Sequence, residues 1–125
     1  MNEYFLNKEI TIEVTNKCGA KCVMCPRELL TQKLDVMKNE LFFKLVDEAN
    51  ELGIEVIDLC GYGDVFLDRE LFTKIKYAKK INPKFKVYIS TTGNVMREKY
   101  FEDILEYVDI LKFSIYGNTK KLMSV

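Results

Sequence analysis

The sequence predicts an α/β fold on a parallel sheet, and two observations predict it. Short apolar segments of strand character alternate with segments whose apolar residues recur at helical spacing, and each strand segment runs into a loop of cysteine, glycine or small polar residues. In order, Ile10 to Val14 alternates apolar and polar residues as a strand does. Leu41, Phe42, Leu45, Val46, Ala49 and Leu52 then form an apolar helical stripe, and Gly53 sits where a helix commonly stops. Ile54 to Cys60 is mostly apolar, as a buried parallel strand should be, and it ends in "GYGD", Gly61 to Asp64. Asp68 is a cap for a second helix with the stripe Leu71, Phe72, Ile75, Ala78 and Ile81, closed by Asn82 and Pro83. Val87 to Thr91 is the third strand and runs into "TTGN", Thr91 to Asn94. A third helix puts Phe101, Ile104, Leu105 and Val108 on one face before a fourth strand, Asp109 to Ile115, which ends in "YGN". The closing "TKKLMSV" reads as the start of a fourth helix. Strand-helix alternation implies right-handed crossovers, so all four strand-end loops emerge at one sheet edge, where parallel α/β folds bind their ligands.

Composition removes several function classes. Lysine plus arginine equals aspartate plus glutamate at 19 each, so no net charge draws the chain to nucleic acid or an acidic membrane. Its densest basic stretch, Lys74 to Lys86, places lysines among apolar residues at helical spacing and reads as a solvated helix face. Met1 to Glu9 carries charge where a secretory signal would be apolar, and no run approaches the roughly 20 apolar residues of a membrane span. The expectation is a soluble, cytoplasmic protein. There is no histidine, which excludes imidazole as base or ligand.

Chemistry is concentrated in "CGAKCVMCPR", residues 18 to 27, which holds three of the four cysteines. Reducing cytosol disfavours structural disulfides, and thiols this close together suit a metal better than a bridge. The spacing C-x3-C-x2-C lets a tight loop present Cys18, Cys22 and Cys25 to three corners of a cubane cluster, with the fourth corner lacking a protein ligand. A structural zinc site with Cys60 as fourth ligand is the alternative, although all-cysteine zinc sites usually pair two C-x2-C knuckles. Cys60 itself reads as a core residue at a strand end. "GYGD" on its own is an ordinary strand-to-helix turn.

The pattern of the three cysteines resembles the signature of the radical S-adenosylmethionine (SAM) superfamily, and "IEVTNKCGAKCVMCPR", Ile12 to Arg27, is similar to the first strand and cluster loop of those enzymes. The resemblance implies a parallel (β/α) partial barrel of the TIM-like type. It implies a 4Fe-4S cluster held by Cys18, Cys22 and Cys25, whose free iron chelates the amino and carboxylate groups of SAM. Reductive cleavage would then give a 5'-deoxyadenosyl radical that abstracts a substrate hydrogen, chemistry in which the protein supplies orientation and exclusion of water. Gly61, Tyr62, Gly63 and Asp64 resemble the glycine-rich segment whose backbone receives the SAM amino group, with Asp64 and Val65 standing where the family commonly has Glu and Pro. Met24 matches a bulky position against the adenine, and Gly19 stands where an asparagine is frequent. Thr92 to Asn94 resembles a small polar turn in the family. Ser114 resembles a residue near the SAM ribose or carboxylate. Strand alternation puts Lys112 and Ser114 opposite Leu111, Phe113 and Ile115, facing the lumen if the apolar set meets the helices, and likewise sets Thr11 and Glu13 opposite Ile10, Ile12 and Val14. An aromatic in a loop is more often packing, so the side chains of Tyr62 and Tyr116 receive no role, while Arg27 is either a carboxylate partner or a surface residue.

Four strands and three helices are fewer than the about 250 residues of a complete eight-unit barrel provide, so residues 1–125 read as a single domain, the N-terminal portion of a radical SAM core truncated into an incomplete barrel. An open sheet ending at its fourth strand exposes an unpaired edge, which invites self-association. The resemblance implies a reductant such as flavodoxin or ferredoxin as partner. "CVMCPR", Cys22 to Arg27, is similar to members that modify peptides or proteins and carry extra cluster domains. The rival from another class is a non-catalytic iron-sulfur or zinc binding module, and the third is an interaction fragment holding no metal. Catalytic residues and the substrate itself are not legible in the sequence.

Overall fold

The computed structural model describes residues 8–17, 21–22, 35–61, 63–93, 95–114 and 123–124. Strand β1 is Glu9–Thr11, β2 is Lys21–Cys22, and helix α1 is Asn39–Glu51. Strand β3 (Val56–Leu59), helix α2 (Leu71–Ile81), strand β4 (Lys86–Thr91), helix α3 (Phe101–Tyr107) and strand β5 (Ile110–Phe113) follow, with β6 at Met123–Ser124. The main sheet has the order β1-β3-β4-β5, every pair parallel. Sequential strands lie side by side, each joined to the next through a helix, as the alternation predicts.

Register decides which residues face which way. Ile10 pairs with Ile57 and Ile57 with Val87, while Leu59 pairs with Ile89 and Ile89 with Leu111. These rows share one face with the buried Ile12 and Val14, and the helices cover it through Phe42, Val46 and Ala49 of α1 and Leu71, Phe72, Ile75 and Ala78 of α2. The opposite face is polar. Thr11 pairs with Asp58 and Asp58 with Tyr88, and Ser90 pairs with Lys112. Lys112 and Thr11 therefore lie on the face of the sheet opposite the helices, as the alternation requires.

Local signals explain where the helices stop. Gly53 adopts φ 77°, and the amide of Ile54 reaches back to the carbonyl of Ala49 at 3.0 Å, satisfying an orphan carbonyl at the end of α1. Asp68 is not the cap of α2 that its sequence position implies: the N-cap is Glu70, which has no side-chain capping bond. Asp68 shapes the turn before it, its Oδ1 accepting from the amide of Glu70 at 2.9 Å and its carbonyl from Leu71 at 3.1 Å.

Several sequence expectations change. Leu41 and Leu52 are 49% and 70% exposed, so the apolar stripe of α1 is narrower than its sequence. On α3 only Ile104 is buried and Leu105 is 85% exposed, because among the described residues the α-helix that packs on it is α2, on one side. Strand β5 is the sheet's edge among the described residues, and Ile110 and Phe113 are 40% and 50% exposed. Met123–Ser124, read from the sequence as the start of a helix, is a short strand, antiparallel to Lys21–Cys22. Lys74 is not part of a solvated face. It is fully buried and its Nζ donates to Asp68 Oδ2 at 2.6 Å, beneath the turn that begins α2.

Candidate functional site

The loop that carries the cysteines leaves the carboxyl end of β1 through a closed neck. Thr15 forms an antiparallel bridge with Val36, and the amide of Met37 donates to the carbonyl of Val14 at 2.6 Å. The hydroxyl of Thr15 donates to the carbonyl of Asp35 at 2.9 Å and accepts from the amide of Lys17 at 3.1 Å. On the returning strand the amide of Asp35 donates to Asn16 Oδ1 at 2.8 Å. Both ends of the segment holding Cys18, Cys22 and Cys25 are thus fixed at one point above the sheet. Cys18, Met24, Cys25 and Tyr62 lie outside the described residues, and of Cys22 the backbone alone is described.

The glycine loop after β3 is built against that neck. A Cβ on Gly63 would stand 2.6 Å from the carbonyl carbon of Thr15 and 2.7 Å from the carbonyl oxygen of Lys17, so a residue without a side chain is required. Immediately beyond, the amide of Asp64 donates to that carbonyl of Lys17, the residue before Cys18, at 2.7 Å. A Cβ on Gly61 would stand 2.5 Å from Cγ of Glu13, which lies over this end of the sheet. These contacts seat the glycine loop on the backbone of Thr15 and Lys17 and on the side chain of Glu13.

The turn after β4 is joined to the same point. Asp64 is 2% exposed, and its Oδ1 accepts from the amide of Phe66 at 3.1 Å. Its Oδ2 accepts from the Thr91 hydroxyl at 2.7 Å and from the Thr92 amide and hydroxyl at 3.2 Å each. The Thr91 hydroxyl accepts in turn from the amide of Gly93, whose φ of 83° shapes the turn. The amide of Ser114 donates to the carbonyl of Thr91 at 2.8 Å, so the end of β5 hangs on the same residue. Gly61, Gly63, Asp64 and Ser114 are therefore brought to one edge of the sheet, with Gly63 and Asp64 against the root of the cysteine loop and Ser114 joined to them through Thr91.

Cys60 is not the core residue its sequence setting implies. It follows Leu59 on the opposite, polar side and is half-buried. Burial pushes its thiol up, and the carboxylate of Asp58 adds to this by charge and by hydrogen bonding, with Glu9 contributing and Lys112 opposing. The Lys112 ammonium lies 5.9 Å from the centre of the Tyr88 ring on that same face. Sequence reasoning also missed Thr91 and Thr15, because their roles are hydrogen bonds to residues far along the chain.

Comparison with known proteins decides the family. The family model described as the radical SAM superfamily matches residues 12–122. The chain belongs to the radical SAM superfamily. It is similar to the tungsten-containing aldehyde ferredoxin oxidoreductase cofactor-modifying protein of Pyrococcus furiosus, with 26% identity over 86% of this chain and 30% of that protein. It is similar also to the antilisterial bacteriocin subtilosin biosynthesis protein AlbA of Bacillus subtilis, with 29% identity over 85% of this chain and 23% of that protein. The crystal structure of BtrN in complex with AdoMet and 2-DOIA shares the fold, with a TM-score of 0.80 and 21% identity over 95% of this chain and 49% of that one. The chain thus spans about a third or less of the curated relatives and about half of this structural neighbour. The four parallel strands with their helices form part of the TIM-like α/β fold of these radical SAM proteins.

The cofactors of the superfamily are a 4Fe-4S cluster and SAM. The residues present fit both. Three thiols are a soft donor set suited to iron, and they sit on one loop rooted at Lys17. The glycine loop is packed at its Cβ positions against Glu13 and against the backbone of Thr15 and Lys17, which anchors its backbone polar groups beside that root. Among the described residues no helix is long and apolar enough to cross a membrane.

Proposed function

We propose that this chain is the cluster-binding and SAM-binding part of a radical SAM enzyme, and the first portion of a longer barrel. The observation that carries the reading is the junction at Lys17, where one carbonyl joins the root of the cysteine loop to the amide of Asp64. Cys18, Cys22 and Cys25 are the residues that would hold the cluster, as thiolates. Bound there, a reduced cluster would supply one electron for cleavage of the C5'–S bond of SAM, with methionine as the leaving group, and so the radical chemistry that removes a substrate hydrogen atom. The chain's own residues do the positioning. The backbone carbonyls of the glycine loop, Gly61 to Gly63, would receive the SAM amino group, with Asp64 anchoring that loop through its bonds to Lys17 and Leu67, while Met24 is assigned to the adenine and Ser114 to the ribose or carboxylate.

The polar face of the sheet, with Asp58, Cys60, Tyr88 and Lys112, is the part of the substrate wall that this chain contributes. One carboxylate oxygen of Asp58 is buried there without a hydrogen-bond partner among the described residues. A peptide or protein substrate is the class we favour, supported by the "CVMCPR" ending and by a relative named for bacteriocin biosynthesis. The setting is the reducing cytoplasm, with a flavodoxin or ferredoxin as electron donor.

The test is direct. The protein, reconstituted anaerobically with iron and sulfide, reduced with dithionite and given SAM, is expected to release 5'-deoxyadenosine detectable by chromatography. A reconstituted protein that holds its cluster and leaves SAM intact would reject the enzyme reading for this chain in favour of an iron-sulfur binding module.

A further inference from the structure

Asp64 stands where the resemblance puts a SAM-binding residue, yet both of its carboxylate oxygens are engaged within the protein. Oδ1 is taken by Phe66 of its own turn, and Oδ2 receives three donors from Thr91 and Thr92 at the end of β4. The side chain is buried, and its amide is committed to Lys17. One residue therefore touches three loops: the root of the cysteine loop, the glycine loop and the turn after β4. An ionised acceptor makes stronger hydrogen bonds than a neutral one, and in a buried setting the loss of any donor leaves a partner unsatisfied.

We propose that Asp64 is a positioning residue, whose buried carboxylate fixes the turn after β4 relative to the glycine loop and the cysteine-loop root, so that SAM meets backbone groups already in place. The role in SAM binding rests on the function proposed above, while the holding of the turns does not. Thr91 is the relay. Its hydroxyl donates to Asp64 and accepts from Gly93, so one oxygen transmits the position of the carboxylate to the left-handed turn at 91–93. Pre-formed backbone donors and acceptors cost less to order on binding than a mobile turn does.

Thr91→Val removes the hydroxyl with little change in shape, and Thr91→Ser keeps it. Two readouts separate the positioning role from plain structural support, both taken well below the unfolding temperature of every variant. In the cluster-free protein, amide hydrogen exchange at residues 64–66 and 91–93 is expected to accelerate in Thr91→Val and to stay at the wild-type rate in Thr91→Ser. In the reconstituted protein, the SAM concentration giving half of the change in the cluster's electron paramagnetic resonance signal is expected to rise about tenfold in Thr91→Val and to return to the wild-type value in Thr91→Ser, roughly the worth of one charge-assisted hydrogen bond. Asp64→Asn, which retains one acceptor oxygen in place of two, is expected to behave as Thr91→Val does and serves where the valine variant does not fold.

Exchange and SAM response unchanged in Thr91→Val and Asp64→Asn would overturn the proposal. So would equal effects of valine and serine, because serine preserves the relay. A wild-type protein indifferent to SAM would reject the proposed function instead, and the exchange measurement would still decide whether Asp64 holds the turns.

Discussion

Replacing Cys18, Cys22 and Cys25 together by alanine is expected to abolish iron-sulfur uptake and all formation of 5'-deoxyadenosine while leaving the far-ultraviolet circular dichroism spectrum unchanged. The first part follows from ligand arithmetic: the thiolate is the ligand, and three thiols on one loop supply three of four cluster corners with none to spare. The second follows from where the fold's stability lies. The sheet is held by its parallel ladders and by Phe42, Val46, Ile57, Leu59, Ile75 and Ile89, and the neck at Thr15 and Val36 is closed by backbone and hydroxyl groups rather than by thiols. Iron and sulfide analysis after anaerobic reconstitution reads the outcome. A triple variant that still binds iron and sulfide at the wild-type ratio would place the cluster elsewhere, and zinc in the purified wild-type protein would favour the structural-metal reading.

The largest effect on stability is expected from Lys74→Met, a loss of about 3–5 kcal/mol in denaturant unfolding. The side chains of Lys74 and Asp68 are 1% and 2% exposed and meet at 2.6 Å, so removing the cation leaves a carboxylate buried beside α2 without its counter-charge. The cost is that of the stranded charge more than the worth of the bond. The double variant Asp68→Asn, Lys74→Met should therefore recover a large part of the loss, because neither partner then carries charge. The pair also matters to the site. Asp68 ends the segment that starts at Asp64, and its attachment to α2 holds the outer end of the glycine loop against the helix. A loss below about 1 kcal/mol in the single variant would mean that the pair is in effect solvated.

The parallel architecture was legible because period-2 and period-3.6 patterns alternate along the chain, and Ile10, Ile12 and Val14 occupy the face that the alternation assigns them. The stops at Gly53 and Asn82 were legible for the same local reason, since each ends its helix by backbone geometry near itself. What stayed hidden was tertiary. The stripe of α3 contains Leu105, yet nothing in the sequence says that, among the described residues, α2 covers this helix on one side and leaves Leu105 exposed. Lys74 looks like any lysine on a basic helix until the chain brings Asp68 beneath it. Cys60 has the composition of a core position, but strand alternation turns it to the polar face beside Asp58. At the site, "CxxxCxxC" and "GYGD" were visible as motifs, and their junction at Lys17 was not, since it depends on how closely Gly63 lets two loops approach. Thr92 drew attention as the start of a small polar turn and Thr91 only as the end of a strand, whereas the bonds of both to Asp64 cross between strands.

The measurement that bears most directly on the central claim is the electron paramagnetic resonance spectrum of the reconstituted, reduced protein with and without SAM. The account predicts a 4Fe-4S signal whose shape changes when SAM is added, because an iron without a protein ligand is open to the cofactor. A cluster signal identical in the presence and absence of SAM would contradict it.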